Sequence, residues 1–505
     1  MIKIPKTVNV CEDKYVCWGR TEFAGFAKDT DETIFKLLNT DFEVKINEIP
    51  CEVRECRVSA IPFNRPWPGK QRQFWQSESA GFISFSADEQ VEIKVKRKQP
   101  FEKVLVRPLS KNIAVNIADD EAVFSLGEHG QYVLEFGDTH NVLHIFFNKI
   151  KEYPEAKNAT VYFGPGMHFP GVITLRDNDT VYIDEQAVVF GSIYSQGAKN
   201  VKILGGGVLD NSNEERVTEH CYENHTKGTF RIYNCENIDV SDIILTNSST
   251  WAMSMFDCRN IHVDNVKIVG HWRYNTDGID IVNSENVLIE NCFIRSFDDT
   301  VSIKAIYEHP KPIQNLIIDN CVMWCGWGKN CEVGIETDGV EYKNIIFRNC
   351  DLVHNSVGAM CISNGNRADI HNVLFENMNV EFQSDTMCEV IQQEDNQKYE
   401  SGNKFMPPCV IRNIISPYAI RKISQDKLVR KTSGKLGDIR DVAYKNINIY
   451  TDSDSLKPII LMKTSDSEKM IRDIKLENIC INGKKAESLE AFITEFENVE
   501  GVEIK

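Results

Sequence analysis

Three aspartates are the residues of this chain best suited to chemistry. Asp277 stands in Asn-Thr-Asp-Gly, and Asp298 and Asp299 form an adjacent pair 21 and 22 residues later. Carboxyl groups held close together do not all ionise, because each charge opposes the next. One keeps its proton and can act as a general acid while its neighbours act as bases. An acid–base hydrolysis needs that division, with a proton for the departing oxygen and a carboxylate to activate water. Asp also fills turns for purely local reasons. Turn chemistry alone, however, does not ask for an Asp-Asp pair running directly into the strand-like Val301-Ser302-Ile303.

The elements that must hold these side chains read as one repeated unit. Between the aspartates runs Val-Leu-Ile-Glu-Asn-Cys-Phe-Ile (287–294), dense in branched apolar residues. The same pattern, an Asn or Asp followed by alternating apolar residues, recurs from Asn200 to Asp473. Asn237, Asn260, Asn286, Asn315, Asn344 and Asn372 are spaced 23, 26, 29, 29 and 28 residues apart. That is the length of a three-strand coil of a parallel β-solenoid, with an asparagine ladder at one corner. Adjacent coils stack at roughly 4.8 Å, which brings the three carboxylates side by side. The stretch from 382 to 440 interrupts the series and reads as a long loop over the binding face.

The first ~150 residues, a size typical of one domain, show no repeat. Phe-Glu-Val-Lys-Ile (42–46) and Gln-Val-Glu-Ile-Lys-Val-Lys (90–96) alternate apolar and polar residues, the pattern of half-buried antiparallel strands. The chain is therefore expected to be all-β, with a β-sandwich over 1–150 and a solenoid over 151–505. Within the first domain a Pro-rich loop at 62–76 carries Arg65, Trp67, Arg72 and Trp75. It can wall a sugar site, through aromatic stacking and guanidinium hydrogen bonds, or plug a domain interface.

Composition narrows the partners. With 505 residues, 42% hydrophobic and 26% charged, the chain has ample material for a core. A net charge of −17 disfavours nucleic acid or an anionic membrane, whose binding rests on Lys and Arg. The start lacks an apolar signal-like segment and no apolar run is long enough to cross a membrane, which points to the cytoplasm. Four of the 16 cysteines (Cys235, Cys292, Cys321, Cys350) follow an Asn within the repeat and read as reduced interior thiols. Cys321, Cys325 and Cys331 lack a fourth ligand at zinc spacing, and no cofactor or metal is expected.

Thr180–Ser212, then Thr-Trp-Ala-Met-Ser-Met-Phe (250–256), Asn-Thr-Asp-Gly-Ile-Asp-Ile and Phe-Asp-Asp-Thr-Val-Ser-Ile-Lys resemble the polygalacturonase family, glycoside hydrolase family 28. The related dextranase and isopullulanase family, family 49, shares the three aspartates and an N-terminal β-sandwich. The resemblance implies a right-handed parallel β-helix and an inverting glycoside hydrolase acting on an oligo- or polysaccharide. Asp298 would then be the acid, with Asp277 and Asp299 holding the water. An inverting pair ordinarily keeps its carboxyl groups roughly 6.5–9.5 Å apart.

Departures from the family pattern bear on the substrate. Where the family has Gly-His-Gly this chain has Gly326-Trp327-Gly328, and where it has Arg-Ile-Lys this chain has Cys361-Ile362-Ser363, following Met360. With no cation in that stretch to pair a galacturonate carboxylate, a neutral, dextranase-like α-glucan is the first expectation and pectin fragments the alternative. Lys304 matches the family's lysine after the aspartate pair. Trp251 and Trp327 are candidate sugar platforms, His271 and Arg273 candidate cleft residues, and Glu336 a further substrate contact. Two rivals remain: a calcium-dependent lyase, for which no suitably placed arginine base follows the aspartates, and a non-catalytic carbohydrate-binding solenoid.

Overall fold

The computed structural model describes residues 1–6, 37–59, 77–118, 120–214, 228–306, 309–382, 408–418 and 434–505, together with the backbone of six short strands at 14–16, 34–36, 387–388, 405–406, 420–424 and 427–431. Arg65, Trp67, Arg72 and Trp75 lie outside the described residues. Two sheets form the N-terminal part. In one, Ser77–Ala87 lies between Arg54–Ser59 and Leu143–Asn148; in the other, Val91–Arg97 lies between Phe42–Ile46 and Glu121–Leu126. The alternation in Phe42–Ile46 sends Phe42, Val44 and Ile46 inward, where they meet Ile83, Phe85, Ile145 and Phe147 of the facing sheet. That common core makes the pair a β-sandwich.

From Val161 onward the chain winds into a right-handed parallel β-helix whose strands pair with their counterparts one coil away. Ile279–Val282 pairs with Met253–Phe256 before it and Val301–Ala305 after it, and Lys329–Thr337 follows. Within each strand one set of side chains points into the solenoid, giving a core through Met253, Ile279, Val301, Cys331 and Met360. The asparagine repeat has a backbone cause. Asn200, Asn237, Asn260, Asn286, Asn315, Asn344 and Asn372 all adopt φ between 51° and 59°, a left-handed conformation that Asn tolerates better than other side chains. Each amide from Asn237 to Asn372 donates to the Oδ1 of the preceding coil at 2.6–3.2 Å. Cys292, Cys321 and Cys350 are buried within the same core, and every described cysteine is a free thiol.

The first sheet of the sandwich has two apolar faces. Phe82, Val133 and Phe146 point away from the sandwich core and pack on Phe190, Val208, Phe293 and Trp324 of the solenoid. Polar groups are built into the same contact: Arg107 donates to Glu135 at 2.7 Å and also pairs with Glu381, while His354 pairs with Glu135. Among the described residues no helix is long and apolar enough to cross a membrane.

Candidate active site

Two successive corners of the solenoid bring the aspartates together, and a third closes over them. Asp277 sits in the loop between Lys267–Val269 and Ile279–Val282, and Asp298 and Asp299 in the loop between Phe293–Ser296 and Val301–Ala305. Backbone bonds between coils fix the stack: Gly278 N–H donates to Asp299 O at 2.9 Å and Thr300 N–H to Lys329 O at 2.8 Å. One carboxylate oxygen from each aspartate lies within 4.8 Å of the others. That is a distance between selected oxygens, shorter than the separation of the carboxyl groups as wholes by which inverting and retaining pairs are told apart. Carboxylate spacing therefore does not by itself decide the stereochemistry.

Cations divide the cluster unequally. Lys304 Nζ donates to Asp277 Oδ2 at 2.8 Å and to Asp280 Oδ1 at 2.6 Å, and Ser302 Oγ also donates to Asp280 Oδ1 at 2.6 Å. Burial works against the Lys304 charge, yet Asp277 and Asp280 outweigh it and hold its pKa well above the usual range. Burial pushes Asp277 upward while the Lys304 ammonium opposes that rise. Asp299 accepts from the Lys329 backbone N–H at 2.9 Å and has Lys329 Nζ 3.7 Å from the same oxygen. Asp298 has neutral partners: the Asn275 amide donates to Oδ2 at 3.3 Å and the Asp299 N–H to Oδ1 at 2.9 Å. Burial first, and the Asp299 charge second, push Asp298 up to about 7. Burial raises Asp277 well above the usual carboxylate range as well, but its 2.8 Å contact with the Lys304 ammonium favours the charged form, which leaves Asp298, the aspartate without a contacting ammonium, as the one placed to keep a proton near neutrality.

A pH dependence follows from that value. If protonated Asp298 supplies the leaving-group proton, the active fraction falls tenfold for each pH unit above its titration. The alkaline limb of kcat against pH is expected to bend near 7. A profile measured from pH 4 to 9 that stays flat through 8 would remove Asp298 from the role.

The other predicted residues separate into near and far. Lys304 is inside the cluster. Trp327 lies beside it, half-buried, stacked on Phe297 with centroids 5.6 Å apart and tilted against Tyr274 at 5.8 Å. Glu336 is half-buried near Lys304, its carbonyl accepting from the Tyr342 hydroxyl at 3.1 Å. Trp251 is not a sugar platform. It is buried, with the Lys304 ammonium over its ring at 4.1 Å and Phe256 stacked nearby, so it reaches the site through Lys304. Arg273 is likewise spent on structure, donating to the carbonyls of Ser212 and Glu214 at 3.1 Å each. His271 is buried and its pKa is driven down to about 3 by that burial, which leaves it neutral and away from solvent.

Four residues that sequence reading did not single out belong here. Asp280, Glu332 and Arg412 lie in one row across successive coils, through the pairings Asp280 with Ser302, Ser302 with Glu332, Glu332 with Cys361 and Cys361 with Arg412. Lys329 opens the strand that carries Glu332. Their shared outward register was the available signal, since Asp280 stands three residues after Asp277 as Glu332 stands three after Lys329. The missing cation at Met360–Ser363 is also partly made good: Arg412, one coil on, donates from Nη1 to Ser363 Oγ at 3.2 Å.

Comparison with known proteins agrees with this architecture. The family model described as Glycosyl hydrolases family 28 matches residues 161–492. Rhamnogalacturonase A of Emericella nidulans is 29% identical over 162 residues, 31% of this chain and 30% of that protein. The probable rhamnogalacturonase E of Aspergillus flavus is 26% identical over 235 residues, 45% of this chain and 47% of that protein. The chain thus spans less than half the length of these curated relatives. Among solved structures, Dex49A from Penicillium minioluteum superposes with a TM-score of 0.57 at 13% identity, covering 92% of this chain and 94% of that one, a likeness of fold. A family model that takes in most of the solenoid, its aspartate corners included, places the chain in family 28 of the glycosyl hydrolases.

Proposed function

We propose that this protein hydrolyses, with inversion, a glycosidic bond in a pectin-type polysaccharide that carries uronate residues. The observation that carries the reading is the asymmetry of the carboxylates: Asp277 and Asp299 each face a lysine, while Asp298, held by neutral donors, is poised to give up a proton. In this reading Asp298 protonates the leaving oxygen. Asp277 and Asp299, from adjacent coils, accept hydrogen bonds from one water and aim it at the anomeric carbon. A water gripped by two carboxylates that ammonium groups already hold in place favours its attack over direct attack by either carboxylate.

The uronate part rests on two supports. Relatives named rhamnogalacturonases match the chain. Arg412 and Lys329 also stand on the coils after and before the strand Gly358–Asn364, which offers no charge of its own. The uncharged Met360-Cys361-Ile362-Ser363 favours the second reading, a neutral α-glucan. One experiment separates them. Proton NMR of the first product released from rhamnogalacturonan oligosaccharides, polygalacturonate and dextran is expected to show cleavage of a uronate-bearing substrate, with the new reducing end in inverted configuration. Retained configuration defeats the mechanism, and dextran cleaved in preference to both pectic substrates defeats the substrate assignment.

A further inference from the structure

One coil beyond the Asp277–Lys304–Asp280 bridge, a second carboxylate–ammonium–carboxylate bridge spans the other edge of the cluster. Lys329 Nζ lies 3.7 Å from Asp299 Oδ1 and 3.3 Å from Glu332 Oε1. Glu332 has no exposed surface, and beyond the Lys329 ammonium and a loosely aligned contact with the Ser363 hydroxyl its carboxylate oxygens meet no hydrogen-bond donor among the described residues. A buried carboxylate in that condition is costly unless something nearby needs its charge. The ammonium beside it is nearer to Glu332 than to the aspartate it also serves, so the two carboxylates compete for one cation.

We infer that Glu332 is a positioning residue of this site: it draws the Lys329 ammonium toward itself and so limits how much positive charge reaches Asp298 and Asp299. The inference rests on the hydrolytic reading above and assigns Glu332 no contact with substrate. Asp298 is faced by Asp277, Asp299 and Cys325 on the acidic or neutral side and by Lys304 and Lys329 on the basic side. Asp280 lies behind Lys304. Glu332 is faced by Lys329 and Asp299 and, from the following coils, by Cys361 and Arg412. Within this set only Lys329 touches both the cluster and Glu332, so the charge of Glu332 reaches the aspartates chiefly through it.

Opposite shifts are the signature. Lys329→Met removes the cation and is expected to move the alkaline limb of the pH–rate profile up by about half a pH unit or more, since Asp298 then holds its proton longer. Glu332→Gln releases the ammonium toward the aspartates and is expected to move the same limb down by a similar amount, with a several-fold loss in kcat and little change in KM. The double variant Lys329→Met/Glu332→Gln is expected to keep the limb within about 0.2 of where Lys329→Met alone puts it, because without the ammonium Glu332 has no route to the aspartates. A merely structural Glu332 would lower activity and leave the limb where it was. The same three variants, labelled with 13C at the aspartate carboxyl and assigned by difference from Asp298→Asn, are titrated by NMR without substrate. Failure of the hydrolytic reading therefore leaves this measurement standing. Single variants that shift in the same direction, or leave the Asp298 signal unmoved while the double variant is folded, overturn the inference.

Discussion

Asp298→Asn is expected to lower turnover by at least ~10²-fold on a natural substrate, the usual scale for loss of a general acid. The loss should shrink for a substrate with a good leaving group, which departs without a proton, and kcat on paired natural and aryl substrates measures the difference. Folding should not suffer. The carboxyl of Asp298 titrates near 3.9 in an unfolded chain and at about 7 in the folded one. Between those values the folded state binds more protons, so stability is lost as pH rises through the window. Asparagine carries no such penalty, and a thermal melt at pH 8 should find the variant at least as stable as its parent. If Asp298→Asn, Asp277→Asn and Asp299→Asn all keep near-normal activity, the aspartates are turn residues and the protein does not work by this hydrolytic mechanism.

Gly328→Ala is expected to cost activity on a comparable scale from a residue that offers no chemistry. A Cβ at Gly328 would stand 2.5 Å from Asp299 N, 2.6 Å from Asp299 Oδ1 and 2.7 Å from Asp298 Oδ1. Its φ lies outside the left-handed region, so alanine meets no strain of its own backbone, and the clash falls on the Asp299 backbone nitrogen and the two carboxylates. Displacing reacting groups by an ångström costs on the order of 10²-fold. Gly326→Ala is the control. Its nearest neighbours would be Ser296 O at 3.3 Å and Phe297 O at 3.5 Å, both outside the carboxylates, and kcat should change by less than about threefold. Equal losses in the two variants would show that the corner as a whole, and not the aspartate geometry, is what the methyl group disturbs.

The solenoid was legible because its repeat has a backbone cause: the recurring Asn marks a left-handed corner, and few residues other than Gly serve there. The sandwich was legible because Phe42–Ile46 and Val91–Arg97 alternate strictly, with alternate side chains buried. Asp277, Asp298 and Asp299 could be brought together by counting residues per coil. Counting could not say which way a corner side chain points. Trp251 and Arg273 sit at the expected height along the helix axis but turn inward or sideways, the first under Lys304 and the second onto the 212–214 loop. Arg412 escaped notice for a related reason. It lies 49 residues beyond Ser363, across the interruption of the repeat, so the alignment of Met360–Ser363 read as a site without a cation although the adjacent strand carries one.

The asparagine ladder has a direction. From Asn372 back to Asn237 every amide gives its hydrogen to the coil before it, and from Asn344 back to Asn200 every amide oxygen receives from the coil after it, so the side-chain dipoles point the same way along the solenoid. Hydrogen bonds in such a chain polarise one another. Reversing one amide would set oxygen against oxygen at one side and hydrogen against hydrogen at the other, so single flips are forbidden and the row behaves as a unit. Slow chemical ageing exposes the cost. Deamidation converts a donor–acceptor into a carboxylate, which can still receive from the following coil but faces the preceding oxygen with negative charge. Damage at Asn286, midway along, would therefore divide one polarised row into two shorter ones and loosen the stack next to the strand that carries Asp277's neighbour Asp280.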